Sequence, residues 1–162
     1  GQVSNPLKAP EKTIQNIPTL IDRAVFPGLQ GGPHMNAIAA KAVCFKEAAE
    51  PQFKDYMKQV LANSKALASH LTEAGFKLIT GGTDNHLILI DVYKTCGIDG
   101  KAAQQKLEEI NITVNANVIP DDPLPPFRPS GIRLGTPAIT SRGEKEADMK
   151  IISEKIKQAL LG

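Results

Sequence analysis

The pattern of apolar residues predicts an α+β fold, a small, mostly antiparallel sheet with helices packed on one face. Three observations carry that prediction. Apolar residues recur at helical spacing in long stretches near 33–49, 51–74 and 144–160, short β-rich runs lie between them, and Gly81-Gly82-Thr83-Asp84-Asn85 has the character of a five-residue hairpin loop. The 162 residues are enough for about one domain with a real core, and 41% hydrophobic against 22% charged residues places the chain among ordinary globules rather than disordered chains.

Taken in order, residues 1–26 hold Pro6, Pro10 and Pro18 with few apolar positions and read as an irregular arm with one short helical turn over Thr19 to Ala24. Phe26-Pro27-Gly28-Leu29-Gln30-Gly31-Gly32-Pro33 follows as a glycine-rich loop, with Pro33 suited to the first turn of a helix. Glycines before a helix start free backbone N–H groups for an anion, yet a tight connector needs the same residues, and spacing alone does not choose. No Gly-Lys-Ser/Thr ending follows, so this is not a P-loop.

Met35, Ile38, Ala39, Ala42 and Val43 give the helix over 33–49 one apolar face. Glu50-Pro51 starts a second helix, striped by Phe53, Tyr56, Met57, Val60, Leu61, Ser64, Leu67, Ala68 and Leu71 and stopped by Gly75. Phe76–Thr80 and His86–Val92 read as the arms of a hairpin, the second arm apolar on both faces and therefore central in the sheet. Asp99 opens a helix to about Glu109 with Ala102, Ala103, Leu107 and Ile110 inward, and Asn111 stops it. Ile112-Thr113-Val114 continues as a strand into Asn115-Ala116-Asn117. A loop with Pro120, Pro123, Pro125, Pro126 and Pro129 comes next, and prolines at that density limit its shapes as a preformed ligand wall or a stiff connector requires. Ser141 and Glu144 form a capping box for the last helix, whose Ala147, Ile151, Ile152, Ile156, Ala159 and Leu160 face inward.

Between that loop and that helix lies Ser130-Gly131-Ile132-Arg133-Leu134-Gly135-Thr136-Pro137. In a strand Ile132 and Leu134 share one face and Arg133 takes the other, so a guanidinium stands off the uncovered side of the sheet. A solvated edge arginine is the ordinary explanation, while bidentate capture of a carboxylate is the chemistry such a rigid mount suits.

The net charge of +2 is spread along the chain, which excludes a basic stripe for nucleic acid and a polybasic membrane patch. Two cysteines, Cys44 and Cys96, make neither a disulfide framework nor a metal spacing, and a reduced, cytoplasmic setting is expected. No stretch is long enough to span a membrane, and the start at Gly1-Gln2-Val3, without methionine or signal peptide, leads to the expectation of missing upstream sequence. His34, His70 and His86 read as structural or solvated residues, although His86 also suits the edge of a site.

Five segments in order, Phe26-Pro-Gly-Leu-Gln-Gly-Gly-Pro, Ala39-Ala-Lys-Ala-Val, Gly81-Gly-Thr-Asp-Asn-His-Leu, Asn115-Ala-Asn-Val-Ile-Pro-Asp-Asp-Pro and Ser130-Gly-Ile-Arg-Leu-Gly-Thr-Pro-Ala-Ile-Thr-Ser-Arg-Gly, resemble successive signatures of serine hydroxymethyltransferase. The resemblance covers roughly residues 24–162. It implies a fold-type I pyridoxal-phosphate transferase, a homodimer that interconverts serine plus tetrahydrofolate with glycine plus 5,10-methylenetetrahydrofolate. By the resemblance Arg133 matches the arginine that pairs with the substrate carboxylate. Gly31 and Gly32 match the loop that approaches the cofactor phosphate of the neighbouring subunit, and Asn117 and Phe127 match the folate side. Arg142 matches the second arginine of a pair, and Ser141 departs from it.

The family's cofactor-bearing lysine lies in a Thr-Thr-His-Lys-Thr-Leu-Arg-Gly type motif upstream of the Phe-Pro-Gly loop, and no such motif occurs in this sequence. Lys41 and Lys46 follow a helix face and Lys77 sits in a predicted strand, so none has the setting of that lysine. The resemblance therefore implies the C-terminal part of the enzyme: a remnant of the large-domain side over 1–26, a linking loop and helices over 27–75, and the small domain over 76–162. No catalytic or metal-binding residue is assigned, and the chain alone is expected neither to hold pyridoxal phosphate tightly nor to turn over serine. The missing large domain and a second subunit would be its partners. A stand-alone folate-binding or interaction module and a threonine aldolase relative are the alternatives; the folate-side loop weighs against the latter, and Arg133, Asn117 and the Gly31-Gly32 loop together against the former.

Overall fold

A computed structural model describes residues 17–162, which divide into two compact units, one ending at Ala49 and the other running from Glu50 to Gly162. The irregular arm expected over 1–26 lies mostly outside the described residues. Its helical turn is present as α1, Ile17–Arg23, followed by helical turns over Ala24–Leu29 that break at Phe26 (φ −136°, ψ 124°), before a cis Phe26–Pro27 bond. Helix α2 is Met35–Ala49. It begins after Pro33 rather than on it, with the His34 carbonyl accepting the first helical bond from Ile38 N at 3.1 Å. None of its apolar residues is buried, so the predicted face exists as a pattern without a cover.

In the second unit the long helix α3, Pro51–Glu73, packs against the closing helix α7, Glu146–Leu161. Gly75 at φ +96° ends α3 in the conformation that glycine adopts at least cost. The strands are β1, Leu87–Asp91; β2, Asn115–Asn117; and β3, Gly131–Gly135. They form an antiparallel sheet in the order β1-β3-β2. Helix α5, Gly100–Glu108, completes the cover of one face, where Leu67, Leu71, Ile88, Ile90, Ala103, Leu107, Ile132, Leu134, Met149 and Ile156 share one core. The α+β expectation with helices on one face therefore holds, and α3, which the sequence groups with the linking segment, packs within the second unit.

Several details differ from the sequence reading. The predicted hairpin shrinks to one bridge, Leu78 to Ile90, because the chain curls after Leu78 into a short turn over Ile79–Gly81 with Thr80 and Gly81 at positive φ. The central strand is β3, not the apolar run Leu87–Ile90, whose Leu87 and Leu89 are only half-buried. Ile112–Val114 is not strand; only Asn115–Asn117 pairs, after Asn111 stops α5 at φ +61°. Two short helices were not foreseen, α4 (Val92–Cys96), capped by the Asp91 side chain accepting from Lys94 N at 2.9 Å, and α6 (Pro137–Ser141).

Ser141 accordingly ends α6 instead of capping α7. The cap of α7 is at Lys145, whose N–H donates to Asp148 Oδ2 at 2.9 Å. The inward stripe of α7 is Met149, Ser153, Ile156 and Leu160, leaving Ala147 and Ile151 exposed, and Ile110 is exposed beyond the end of α5. Phe53 and Leu61 of the α3 stripe also lie outside, whereas Asn63 is fully buried.

Candidate functional site

Alternation along β3 decides where its arginine goes. Ile132 is fully buried and Leu134 nearly so, while Arg133 is exposed on the face without helices. Its cross-strand neighbours are Leu89 on β1 and Asn115 on β2, and Asn117, two residues along, shares the same face. No hydrogen bond or ion pair engages the guanidinium among the described residues. Its five donors stand free on the central strand, over an apolar neighbour and beside two carboxamides, an arrangement fit for a planar anion. The Asn117 amide donates to Val118 O at 2.6 Å, which leaves its carbonyl oxygen as an acceptor.

The strand is held at both ends. Gly131 is squeezed where the strands meet: a Cβ there would stand 2.5 Å from Ile119 Cγ2, 2.9 Å from Asn117 O and 3.0 Å from Ile90 O. Gly100 at the start of α5 donates to Pro129 O at 2.6 Å, and a Cβ there would overlap the Gly131 carbonyl oxygen. Beyond β3, Thr136 Oγ1 donates to Val60 O at 2.8 Å, and Thr140 Oγ1 donates back to Thr136 O at 2.8 Å. Asn63 joins them, its amide donating to Thr140 Oγ1 and to Glu144 O, both at 2.9 Å. This buried polar network fixes the chain leaving Arg133 against α3. Tyr56 adds a bond to Pro137 O at 3.0 Å.

The proline-rich segment between β2 and β3 is organised by Asp122. Its Oδ2 accepts from Ile119 N at 3.1 Å and Ser130 N at 3.0 Å, and its Oδ1 accepts from Leu124 N at 2.9 Å and Ser130 Oγ at 2.6 Å. Burial alone would raise its pKa, but these bonds outweigh it and hold the carboxyl at about 2. Nearer the tip, Arg128 Nε and Nη2 each lie 2.9 Å from Asp99 Oδ2. The other oxygen of Asp99 caps α5 through Ala102 N at 2.9 Å. That capping bond first, and Arg128 second, keep the Asp99 pKa below the usual carboxylate range. Between the two tethers Phe127 projects, 69% exposed.

Arg133, Asn117 and the loop that bears Phe127 thus belong to one strand-loop-strand segment of the second unit. Gly31 and Gly32 lie in the first unit, exposed, with no atom within 4 Å of where a side chain would start. Arg142 is exposed just past α6, and His86 is exposed at the entry to β1. A groove between α3 and the Gly81–Thr83 turn, lined by Lys65, Ser69, Thr72 and Glu73, includes none of the predicted site residues. Asp122 and Asn63 were missed by sequence reasoning. An Asx turn before Pro123 was the available signal for the first; the place of Asn63 beside Ser64 on the apolar stripe of α3 was the signal for the second.

The family profile described as serine hydroxymethyltransferase matches residues 3–156. The chain belongs to the serine hydroxymethyltransferase family. One relative, a serine hydroxymethyltransferase of Koribacter versatilis (strain Ellin345), is 54% identical over 146 residues, which are 90% of this chain and 34% of that relative. The chain thus spans about a third of the length of the relative it matches.

The described residues fit the family's cofactor only in part. The open backbone at Gly31-Gly32 suits a phosphate. Lys77 Nζ, however, lies 3.5 Å from the buried Asp91 carboxylate, and Lys41 and Lys46 are exposed on α2. No described lysine stands in the desolvated pocket that a covalently held cofactor needs. No described helix is long and apolar enough to cross a membrane.

Proposed function

We propose that this chain is the C-terminal part of a serine hydroxymethyltransferase of fold type I, which interconverts serine plus tetrahydrofolate with glycine plus 5,10-methylenetetrahydrofolate in the cytoplasm. Residues 76–162 correspond to the small domain, 27–75 to the link, and 1–26 to the edge of the large domain. Arg133 anchors the carboxylate of serine or glycine, fixing the amino acid so that its other bonds are presented to the chemistry of the parent. Asn117 and the Phe127 loop line the folate side. The Gly31-Gly32 amides meet the pyridoxal phosphate of the second subunit of a homodimer. The electron-sink chemistry of that cofactor is assigned to the large domain, so the 162-residue chain alone is inactive.

The observation that carries this reading is the exposed, unpaired Arg133 guanidinium on the central strand, with Asn115 and Asn117 on the same face. Family membership supplies the reaction, and the carboxamides and tethered loop beside Arg133 support a second ligand next to the amino acid. In the full-length enzyme, Arg133→Lys keeps the charge but loses the two-pronged geometry. It is expected to raise the KM for serine about 100-fold. An unchanged KM for serine, with the variant folded, would remove Arg133 from the substrate site. Serine cleavage by the purified 162-residue chain supplied with pyridoxal phosphate would overturn the assignment of the chemistry to other parts of the parent.

A further inference from the structure

We propose that Asp122 is a positioning residue for the folate side of the site, closing the 119–130 loop on itself and tying it to Ser130, the residue just before β3. This rests on the reading of Asn117 and Phe127 as folate-side residues. Asp122 joins the two ends of the loop: Ile119 follows β2 by two residues, Ser130 immediately precedes β3, and both donate to it. Ser130 is fully buried, and its carbonyl accepts from Tyr93 N at 3.0 Å, so the far end of the clamp is anchored in the core. Phe127 is 69% exposed and stands between the clamp and the Arg128–Asp99 tether, so its place depends on both.

Arg133 is held differently. The β1 and β2 ladders flank it, and Thr136 is locked to α3. The clamp therefore governs one half of the site more than the other. A carboxylate is required because all four partners are donors. With Asp122→Asn, either orientation of the amide turns an NH2 toward a backbone N–H, at Ile119 and Ser130 or at Leu124. At least one buried or half-buried donor loses its acceptor, and the loop opens.

The test uses the full-length enzyme with Asp122→Asn, Ser130→Ala and Arg133→Lys, each checked for folding by circular dichroism and thermal melting. Asp122→Asn is expected to raise the KM for tetrahydrofolate about tenfold, with the KM for serine within about twofold of the parent. Ser130→Ala, which removes one of the bonds, shifts the folate KM in the same direction by about threefold. A folded Asp122→Asn enzyme with unchanged folate KM overturns the proposal, and so does one in which both KM values rise together, as a general loosening would produce. If Asp122→Asn does not fold, Ser130→Ala decides, and a folate KM equal to that of the parent overturns the proposal. Arg133→Lys separates the two levels of the reading: an unchanged serine KM there sinks the carboxylate anchor whatever Asp122 does.

Discussion

The pKa of Asp122 makes a single residue visible in the acid stability of the chain. Its folded value of about 2 lies below the ordinary aspartate value near 4. A depressed folded pKa contributes stability that is fully present above the unfolded value and is lost as pH falls toward the folded one. The melting temperature of the chain should therefore drop between about pH 4 and pH 2, and less so for Asp122→Asn, as read by circular dichroism. Asp99 contributes in the same direction, so the drop is reduced and not abolished. Gly100 acts through space instead of charge. Alanine there would meet backbone on two sides, Gly131 O and Pro129 O, neither of which can swing away. Gly100→Ala is expected to cost about 3 kcal/mol in urea unfolding, and a neutral result would mean that the start of α5 moves away from Gly131 and Pro129 at little cost.

Among the elements, the two long helices separate a pattern from its use. Leu71 of α3 is fully buried in the core, and Leu71→Ala should cost about 3 kcal/mol. Ile151 of α7 looks like a core residue in the sequence but is 52% exposed, and Ile151→Ala should change stability by no more than about 0.5 kcal/mol. Equal losses for the two would mean that Ile151, like Leu71, is buried in the folded chain in solution. The strand β3 is built on the same logic of neighbours: it lies between β1 and β2, and Gly131 leaves room for the Ile90 carbonyl on one side and the Asn117 carbonyl on the other. Arg133 was legible from the sequence because side chains alternate along any strand. The clamp at Asp122 was not, because its partners at Ser130 are brought to it only when the loop closes.

At the scale of the molecule, the division after Ala49 has an energetic counterpart. Among the described residues the buried members of the shared core run from Leu67 to Leu160, whereas those up to Ala49 include no buried side chain. The piece 50–162 should unfold cooperatively on its own, with a midpoint in urea close to that of the whole chain. Loss of the cooperative transition on removing residues 1–49 would show that the core depends on them. The first unit also exposes Phe26, Leu29, Met35 and Phe45, each at 64% or more. Apolar surface of that extent favours association, so the full chain should show a higher concentration-dependent mass by light scattering than the 50–162 piece does.

By itself the sequence determined the fold class, the helices α2, α3, α5 and α7, the stops at Gly75 and Asn111, and the outward arginine. Each of these depends on neighbours within a few residues, through periodicity, a cap or a residue that tolerates positive φ. Only the tertiary structure decided that β3 and not Leu87–Ile90 is central, that Phe76–Thr80 pairs through one bridge, and that Asn63, Thr136 and Thr140 bury a polar network behind the site. Those outcomes depend on which distant backbone arrives alongside, as Val60 does for Thr136 across 76 positions of chain, and local spacing carries no record of that meeting.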